Sequence, residues 1–174
     1  KKIDNCSLLK KFNSLVESAE SKFGLENIAK FKATYFQKYG KVFPDDHNYH
    51  ERINYFLDQL VFETPISETK GIYRQFDDEA GIHGFLHSVF AISKIKDSEM
   101  ELLDLLSEHY FTVDITEYKN LLLTAEKNDI FQGFLYFNKN NDKLIPSQGI
   151  LFHPKRCRAI LKKHIKTAKK TEGY

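Results

Sequence analysis

Residues 153–170 carry a dense group of cations whose chemistry is that of anion binding. The segment reads HPKRCRAILKKHIKTAKK and holds eight Lys or Arg and no Asp or Glu. The rest of the chain keeps 18 of the 26 basic residues against all 24 acidic ones, so a remainder of charge −6 carries a segment of charge +8. This asymmetry predicts that the segment binds an anionic partner or docks on the acidic body of the protein itself.

The same segment has the periodicity of an amphipathic helix over residues 154–170, and Pro154 suits its first position. At about 100° per residue, one side collects Cys157, Ile160, Leu161, His164, Ile165 and Ala168. The opposite side collects the cations, of which six are expected to contact the anion: Lys155, Arg156, Arg158, Lys162, Lys163 and Lys166. Such a face neutralises phosphates without reading sequence, so the predicted partner is nucleic acid or another polyanion. The alternative is a helix that closes the sheet with its apolar side and leaves its cations solvated.

Four histidines are the candidates for a metal site: His47, His50, His83 and His87. His47 and His50 lie beside Asp45, Asp46 and Glu51, whereas His83 and His87 follow Asp77, Asp78 and Glu79. Imidazoles four residues apart lie about 6 Å apart on a helix and about 13 Å apart on a strand, so only a helix lets the second pair share one ion. The spacing matches no metalloprotease or zinc-finger pattern, and we predict no metal and no cofactor.

No common catalytic motif is present in the sequence. It lacks a P-loop, a dinucleotide glycine fingerprint, a G-x-S-x-G elbow and a C-x-x-C pair. The adjacent acidic pairs at 45–46 and 77–78 stand beside turns and are interpreted as helix caps. Cys157 lies between two arginines but on the apolar side of the predicted helix, which favours a packed thiol over a nucleophile. The sequence therefore favours a non-enzymatic protein, with no catalytic residue predicted.

Length and composition favour one compact unit. The chain has 174 residues, of which 41% are hydrophobic and 29% are charged. Its two cysteines, Cys6 and Cys157, are too few for a disulfide framework, and no apolar run reaches the roughly 20 residues of a membrane span. We therefore expect a cytoplasmic protein without a membrane-spanning segment.

The N-terminal half, residues 1–87, has mainly helical periodicity. Helices are predicted over residues 7–23, 25–39 and 49–62, the second of them ended by Gly40. Two weaker helical segments are predicted over 67–76 and 78–86, where Gly71, Gly81 and Gly84 interrupt the pattern.

Residues 88–153 have the texture of β-strands. Runs at 88–94, 100–106, 110–115, 130–137 and 143–152 predict four or five antiparallel strands in a small sheet or partial barrel, with Gly133 and Gly149 at bends or bulges. The predicted fold class is therefore α+β: a helical half packed on this sheet and closed by the basic helix at 154–170.

Two resemblances agree with this architecture. The runs YHERINYFLDQLVFETPI, HSVFAISKIKD, NDIFQGFLYF and ILFHP resemble an uncharacterised group of bacterial proteins that join N-terminal helices to a small β-rich part, which implies a bacterial cytoplasmic setting. The order of strands, GILF and closing helix is similar to PilZ domains, small β-barrels that bind cyclic di-GMP. The PilZ motifs R-x-x-x-R and D-x-S-x-x-G are absent, since Arg74 has no partner arginine four positions away and Ser147 lies in PSQG. This second resemblance implies a degenerate barrel without nucleotide binding.

The sequence thus predicts a binding or regulatory protein that contacts a polyanion through its basic helix. An alternative is a protein-interaction or scaffold module that uses the Phe- and Tyr-rich helical half or a sheet edge. A third reading is a metal-dependent enzyme built on the four histidines.

Overall fold

A computed structural model describes residues 24–63, 82–116, 124–138 and 143–172, together with Glu17, Ser21, Tyr118 and Leu122. The helices in this part are α1 (Leu25–Tyr39), α2 (Tyr49–Phe62) and α3 (Arg158–Glu172), the last preceded by a 3-10 turn (Lys155–Cys157). The strands are β1 (Ile82–Ile95), β2 (Glu99–Asp104), β3 (Tyr110–Asp114), β4 (Ile130–Asn138), β5 (Lys143–Pro146) and β6 (Leu151–Phe152). The α+β prediction is confirmed. The helix predicted at 67–76 lies outside the described residues, as does the one at 7–23 apart from Glu17 and Ser21, which are helical.

The six strands form one mixed sheet in which β1 to β5 close into a ring of pairings and β6 is attached to β4. β1 pairs with β2 on one side and with β4 on the other, and β3 lies beside β2. β4 pairs with β5 near its end and with β6 near its start. These pairings are antiparallel, whereas β3 and β5 are parallel and meet at the single pair Val113 and Leu144. The sequence did not indicate this parallel contact, because the local pattern of residues in a strand does not specify which other strands it pairs with.

The helix predicted at 78–86 is wrong from Ile82 onward, because β1 begins there. Ile82 and residues 84–91 pair with β4, so the first half of this long strand is already part of the sheet. Gly84 interrupts the helical period, and pairing with β4 supplies the backbone hydrogen bonds that a helix would otherwise make. Within this stretch Phe85 packs against the α1–α2 side of the sheet and Leu86 against the other side.

Two hydrophobic cores lie on opposite faces of the sheet. The inner core fills the ring and includes Phe90, Met100, Leu102, Phe131 and Leu135. The outer core packs α1 and α2 against β1 and β4 through a second set of side chains: Tyr35, Tyr55, Phe56, Leu60, Phe62, Phe134 and Tyr136. β4 contributes to both cores in alternation, which explains its nearly continuous apolar sequence.

Arg52 fixes the corner between α1 and α2. Its guanidinium donates to the carbonyl oxygens of Tyr39 and Gly40, at 2.9 and 3.1 Å, and to Asp46 Oδ2 at 3.3 Å. Asp46 was predicted to cap α2, but that interpretation is wrong, since Asn48 holds the N-cap position and Asp46 instead accepts from the backbone N–H of Phe43. Arg52 belongs to α2, and its side chain reaches the C-terminal end of α1. There it satisfies backbone carbonyls that α1 leaves unpaired.

Gly149 and Gly133 permit close approach and do not form bulges. A Cβ at Gly149 would lie 2.5 Å from the backbone N and Cα of Tyr55 in α2. A Cβ at Gly133 would lie 3.4 Å from the Gly149 carbonyl oxygen. The register shifts of β1 lie elsewhere, between Ile82 and Gly84 and between Ile92 and Lys94. Gly149 therefore sets how closely α2 packs on the sheet.

Candidate functional site

Three ion pairs attach the basic segment to acidic residues of the body. Lys155 Nζ lies 2.5 Å from Glu126 Oε2, and Arg158 Nη2 lies 2.6 Å from Asp129 Oδ1. Lys169, near the other end of α3, pairs with Glu108 in the turn between β2 and β3. The hydrogen bond from Lys169 holds the pKa of Glu108 below its usual range. Three cations are thus directed towards the protein itself.

The turn that receives the start of the helix is organised by Asp129. Its Oδ2 accepts from the backbone N–H of Glu126 at 2.9 Å, while Oδ1 accepts from Arg158. Glu126 and Asp129 are three residues apart, as are Lys155 and Arg158, so two carboxylates on one turn receive two cations on the other. This match orients the start of α3 relative to β4.

Four other lysines of α3 form an exposed row, hereafter the lysine row: Lys162, Lys163, Lys166 and Lys170. At about 100° per residue they fall within a sector of about 100°, next to the side that faces the body. None of the four makes an ion pair with a residue in the described part of the chain. Like charges three or four residues apart repel one another, so the row is stabilised when an anion neutralises it.

The predicted anion-binding residues therefore divide into two groups. Lys155 and Arg158 pair with the body, whereas Arg156, Lys162, Lys163 and Lys166 are exposed. Sequence reasoning did not include Lys170, which the projection places within the same sector as the others. The ion pairs could not be read from the sequence, because Glu108, Glu126 and Asp129 lie far from the helix along the chain.

The side of α3 that faces the body is only partly apolar. Leu161, Ile165 and Ala168 are half-buried, as is Cys157 in the preceding turn. Ile160 and His164, which the projection assigned to the same stripe, are exposed, and Ile160 keeps 59% of its surface. Since no side chain described in α3 is fully buried, ion pairs contribute to the docking of the helix along with apolar contact.

A cleft of about 720 Å³ opens at the base of the basic helix. Three chain segments form its walls: the start of α2, the turn before β4, and the link from β6 to α3. Its polar lining comes from His47, Asn48, Glu51, Thr124, Asp129, His153 and Lys155. Residues that are distant in sequence converge here only in the fold, and Lys155 belongs both to the cleft and to the basic segment.

Phe152 and His153 are the ring side chains on the β6 side of the cleft. Phe152 packs on Phe131 at a centroid distance of 5.5 Å and leaves 39% of its surface exposed. His153 Nε2 is buried and has no hydrogen-bond partner in the described part of the protein. Burial lowers the pKa of His153, which favours its neutral imidazole.

His47, His50 and His87, three of the histidines singled out by spacing, do not converge on one site. His47 lines the cleft, His50 is exposed on α2, and residues 83–87 are extended within β1. Among the described side chains, no three His, Cys, Asp or Glu residues lie close enough together to hold a metal ion.

His87 belongs to a hydrogen-bonded chain beneath α2. Its Nε2 lies 2.7 Å from the Tyr55 hydroxyl, its Nδ1 contacts Glu63, and its ring stacks on Phe134 at 4.1 Å. Tyr55 itself is buried in the core between α2 and the sheet. This chain ties α2 to β1 and β4.

Exposed aromatic side chains away from the tail lie on different elements. Phe43 precedes α2, Tyr110 begins β3, and Phe137 lies near the end of β4. No ring contact among the described residues joins any two of them. They do not form the continuous aromatic patch that a protein-docking module is expected to expose.

No protein family, curated protein or solved structure matches the chain. In the part of the chain that the structure describes, no helix combines the length and the apolar character needed to cross a bilayer.

Proposed function

We propose that the protein is a non-enzymatic nucleic-acid-binding protein whose α3 contacts the phosphate backbone. The observation that carries the proposal is that some cations of the basic segment form ion pairs with the body while others are exposed without one among the described residues. Lys155, Arg158 and Lys169 attach the segment to the body, and the lysine row is left exposed along one flank. A helix held in place with its cations outward is pre-organised for a polyanion.

The dimensions of the lysine row suit several phosphates. From Lys162 to Lys170 the helix rises about 12 Å, and phosphates along one strand of B-form DNA are about 3.4 Å apart in axial rise. Lysine is a compact charge on a flexible stem, which suits phosphate contact better than bidentate reading of bases. Binding is therefore expected to depend strongly on salt and weakly on sequence. The proposal keeps the cytoplasmic location that the cysteine usage predicts.

The test is a titration of a fluorescein-labelled 12-nucleotide single strand by anisotropy at several salt concentrations. Four phosphate contacts predict a slope of log K against log salt of about −3 for a single strand. The triple variant Lys162→Glu, Lys163→Glu, Lys166→Glu is expected to weaken binding at 50 mM salt by at least about 100-fold and to flatten the slope to about −1 or less.

The matched control is Lys30→Glu, Lys41→Glu, Lys96→Glu. These lysines are exposed on other elements, and either triple lowers the net charge from +2 to −4. We expect the control to retain most of the affinity and the slope. Equal losses in the two triples would mean that net charge alone acts, and no binding by the unaltered protein at low salt would end the proposal.

A further inference from the structure

We propose that the cleft at the base of the basic helix receives one nucleobase, so that the partner is a single-stranded nucleic acid. This inference rests on the proposed function and adds to it the form of the partner. Bases inside a duplex are stacked and paired, and a base enters a pocket only when it is unstacked.

Phe152 supplies a stacking surface in the cleft. Its partly exposed ring is backed by Phe131, which is itself fully buried in the inner core. A supported ring loses little conformational freedom when a base stacks on it. Stacking of a base on an aromatic side chain contributes about 1–3 kcal/mol and tolerates any base, because every base has a π-face.

The opposite wall offers hydrogen-bonding groups of both kinds. Asn48 has an amide, which donates and accepts, and Glu51 has a carboxylate, which accepts from an exocyclic amino group. On the β6 side, next to Phe152, His153 brings an imidazole whose buried Nε2 lacks a partner among the described residues. A neutral imidazole and an amide suit the uncharged edge of a base, whereas the Glu51 carboxylate in the same cleft would repel a phosphate.

The size and position of the cleft link it to the lysine row. Its volume of about 720 Å³ lies within the range of small-molecule sites and is ample for a nucleoside. Lys155 stands at the cleft and begins the basic segment, and Lys166 lies about 16 Å further along at the helical rise. A strand whose base enters the cleft can therefore lay its following phosphates along α3.

The decisive experiment compares three labelled 12-mers with the same protein: oligo-dT, an abasic strand with the same phosphates and no bases, and a duplex. We expect oligo-dT to bind about 5- to 100-fold more tightly than the abasic strand, with similar salt slopes. Phe152→Ala should remove most of this preference and leave binding of the abasic strand unchanged. Phe137→Ala is the matched control, since Phe137 is 42% exposed and lies on the far end of β4.

Phe152→Leu guards against misfolding of the alanine variant, because leucine keeps the apolar contact with Phe131 but has no π-face. It should fold with an unchanged far-ultraviolet spectrum and still lose the preference for bases. Equal affinity for oligo-dT and the abasic strand, or an unaltered preference in Phe152→Leu, overturns the nucleobase site. If the lysine triple still abolishes binding in that case, the polyanion function survives while this inference fails.

Discussion

Asp58 is a buried carboxyl whose surroundings change its ordinary chemistry. Its side chain is buried in α2 and accepts a hydrogen bond from the Tyr136 hydroxyl in β4. Burial raises the pKa of Asp58 to about 7, although hydrogen bonds from Tyr136 and Ser147 act in the opposite direction. The same burial, with Asp58 close by, raises the pKa of Tyr136 well above its usual value. The carboxyl is thus a polar contact within the outer core that titrates near neutrality.

The stability of the fold is expected to fall as pH rises through this range. Below about pH 3.8 Asp58 is protonated in both the folded and the unfolded chain, and between there and about pH 7 the folded chain holds the proton more tightly. The contribution of protonated Asp58 is therefore fully present at low pH and is lost through about pH 7, on the order of 4 kcal/mol in all. Urea unfolding of the native protein and of Asp58→Asn at several pH values measures it.

The amide of Asp58→Asn does not titrate, so its stability relative to the native protein should rise between pH 5 and pH 8. Tyr136→Phe provides a second check, since removing the hydroxyl removes a hydrogen bond that lowers the pKa of Asp58 and should move the loss to higher pH. Parallel stability curves for the native protein and Asp58→Asn would contradict the assignment.

At the scale of elements, the packing of α2 on the sheet depends on the absence of a side chain at Gly149. An added Cβ there would meet Asp58 Oδ2 first and then the backbone N and Cα of Tyr55 at 2.5 Å, and the Tyr55 backbone cannot rotate away as a flexible side chain would. Above this contact, Phe62 and Tyr55 pack on Phe134 at 5.6 and 6.0 Å. A methyl group at Gly149 must therefore push α2 away from this aromatic layer.

We expect Gly149→Ala to lower the free energy of unfolding by about 1–3 kcal/mol or more, because the added methyl group meets the backbone of Tyr55 and the buried carboxyl of Asp58. Gly84→Ala is the control within the same sheet, since a Cβ at Gly84 meets nothing within 4 Å and should change stability by less than about 1 kcal/mol. Chemical denaturation of both variants gives the comparison. Equal effects would show that the contact at Gly149 relaxes without loss.

At the scale of the whole molecule, the segment of charge +8 lies on a body of charge −6, and three ion pairs join them. Such pairs are weakened by salt when they are exposed, and each contributes modestly. The turn at Glu126 and Asp129 and the turn at Glu108 hold opposite ends of the basic segment. Its docking is thus electrostatic at both ends and partly apolar between them.

Asp129→Asn should loosen the start of α3 without unfolding the ring. The asparagine oxygen can still accept from the Glu126 N–H, but the charge that attracts Arg158 is gone. Hydrogen exchange of the amides at 158–165 is expected to accelerate about two- to fivefold, while exchange in β4 stays unchanged. Asp97→Asn, at an exposed residue between β1 and β2, should change neither. Unchanged exchange in α3 would mean that the Arg158–Asp129 ion pair does not hold the start of the helix.

Local patterns predicted most of the elements. The apolar spacing predicted α1 and α2. The ends of β2, β3 and β4 differ from the predicted ends by no more than one or two residues. The errors lie where long-range pairing decides the structure. Ile82 belongs to β1 because β4 is beside it, and the run 143–152 divides into β5 and β6 because each part pairs with a different stretch of β4.

The candidate site was predicted in part. The exposed cations of α3 follow from helical geometry, whereas the cleft joins residues from about 47, 129 and 153, which no local pattern connects. One feature of the sequence points to Asp58. It lies three positions after Tyr55 and four before Phe62, and this spacing places a charged residue on the apolar side of α2. That pattern indicates a buried polar group but does not name its partner.

The sequence by itself determined the α+β class, the positions of most helices and strands, and the concentration of charge in one amphipathic helix. Those properties depend on neighbours within a turn or a strand, which the sequence lists directly. Only the tertiary structure decided which cations face the body, how the strands close into a ring, and where a cleft opens. These depend on contacts between residues far apart along the chain, and their energies arise only when the chain is folded.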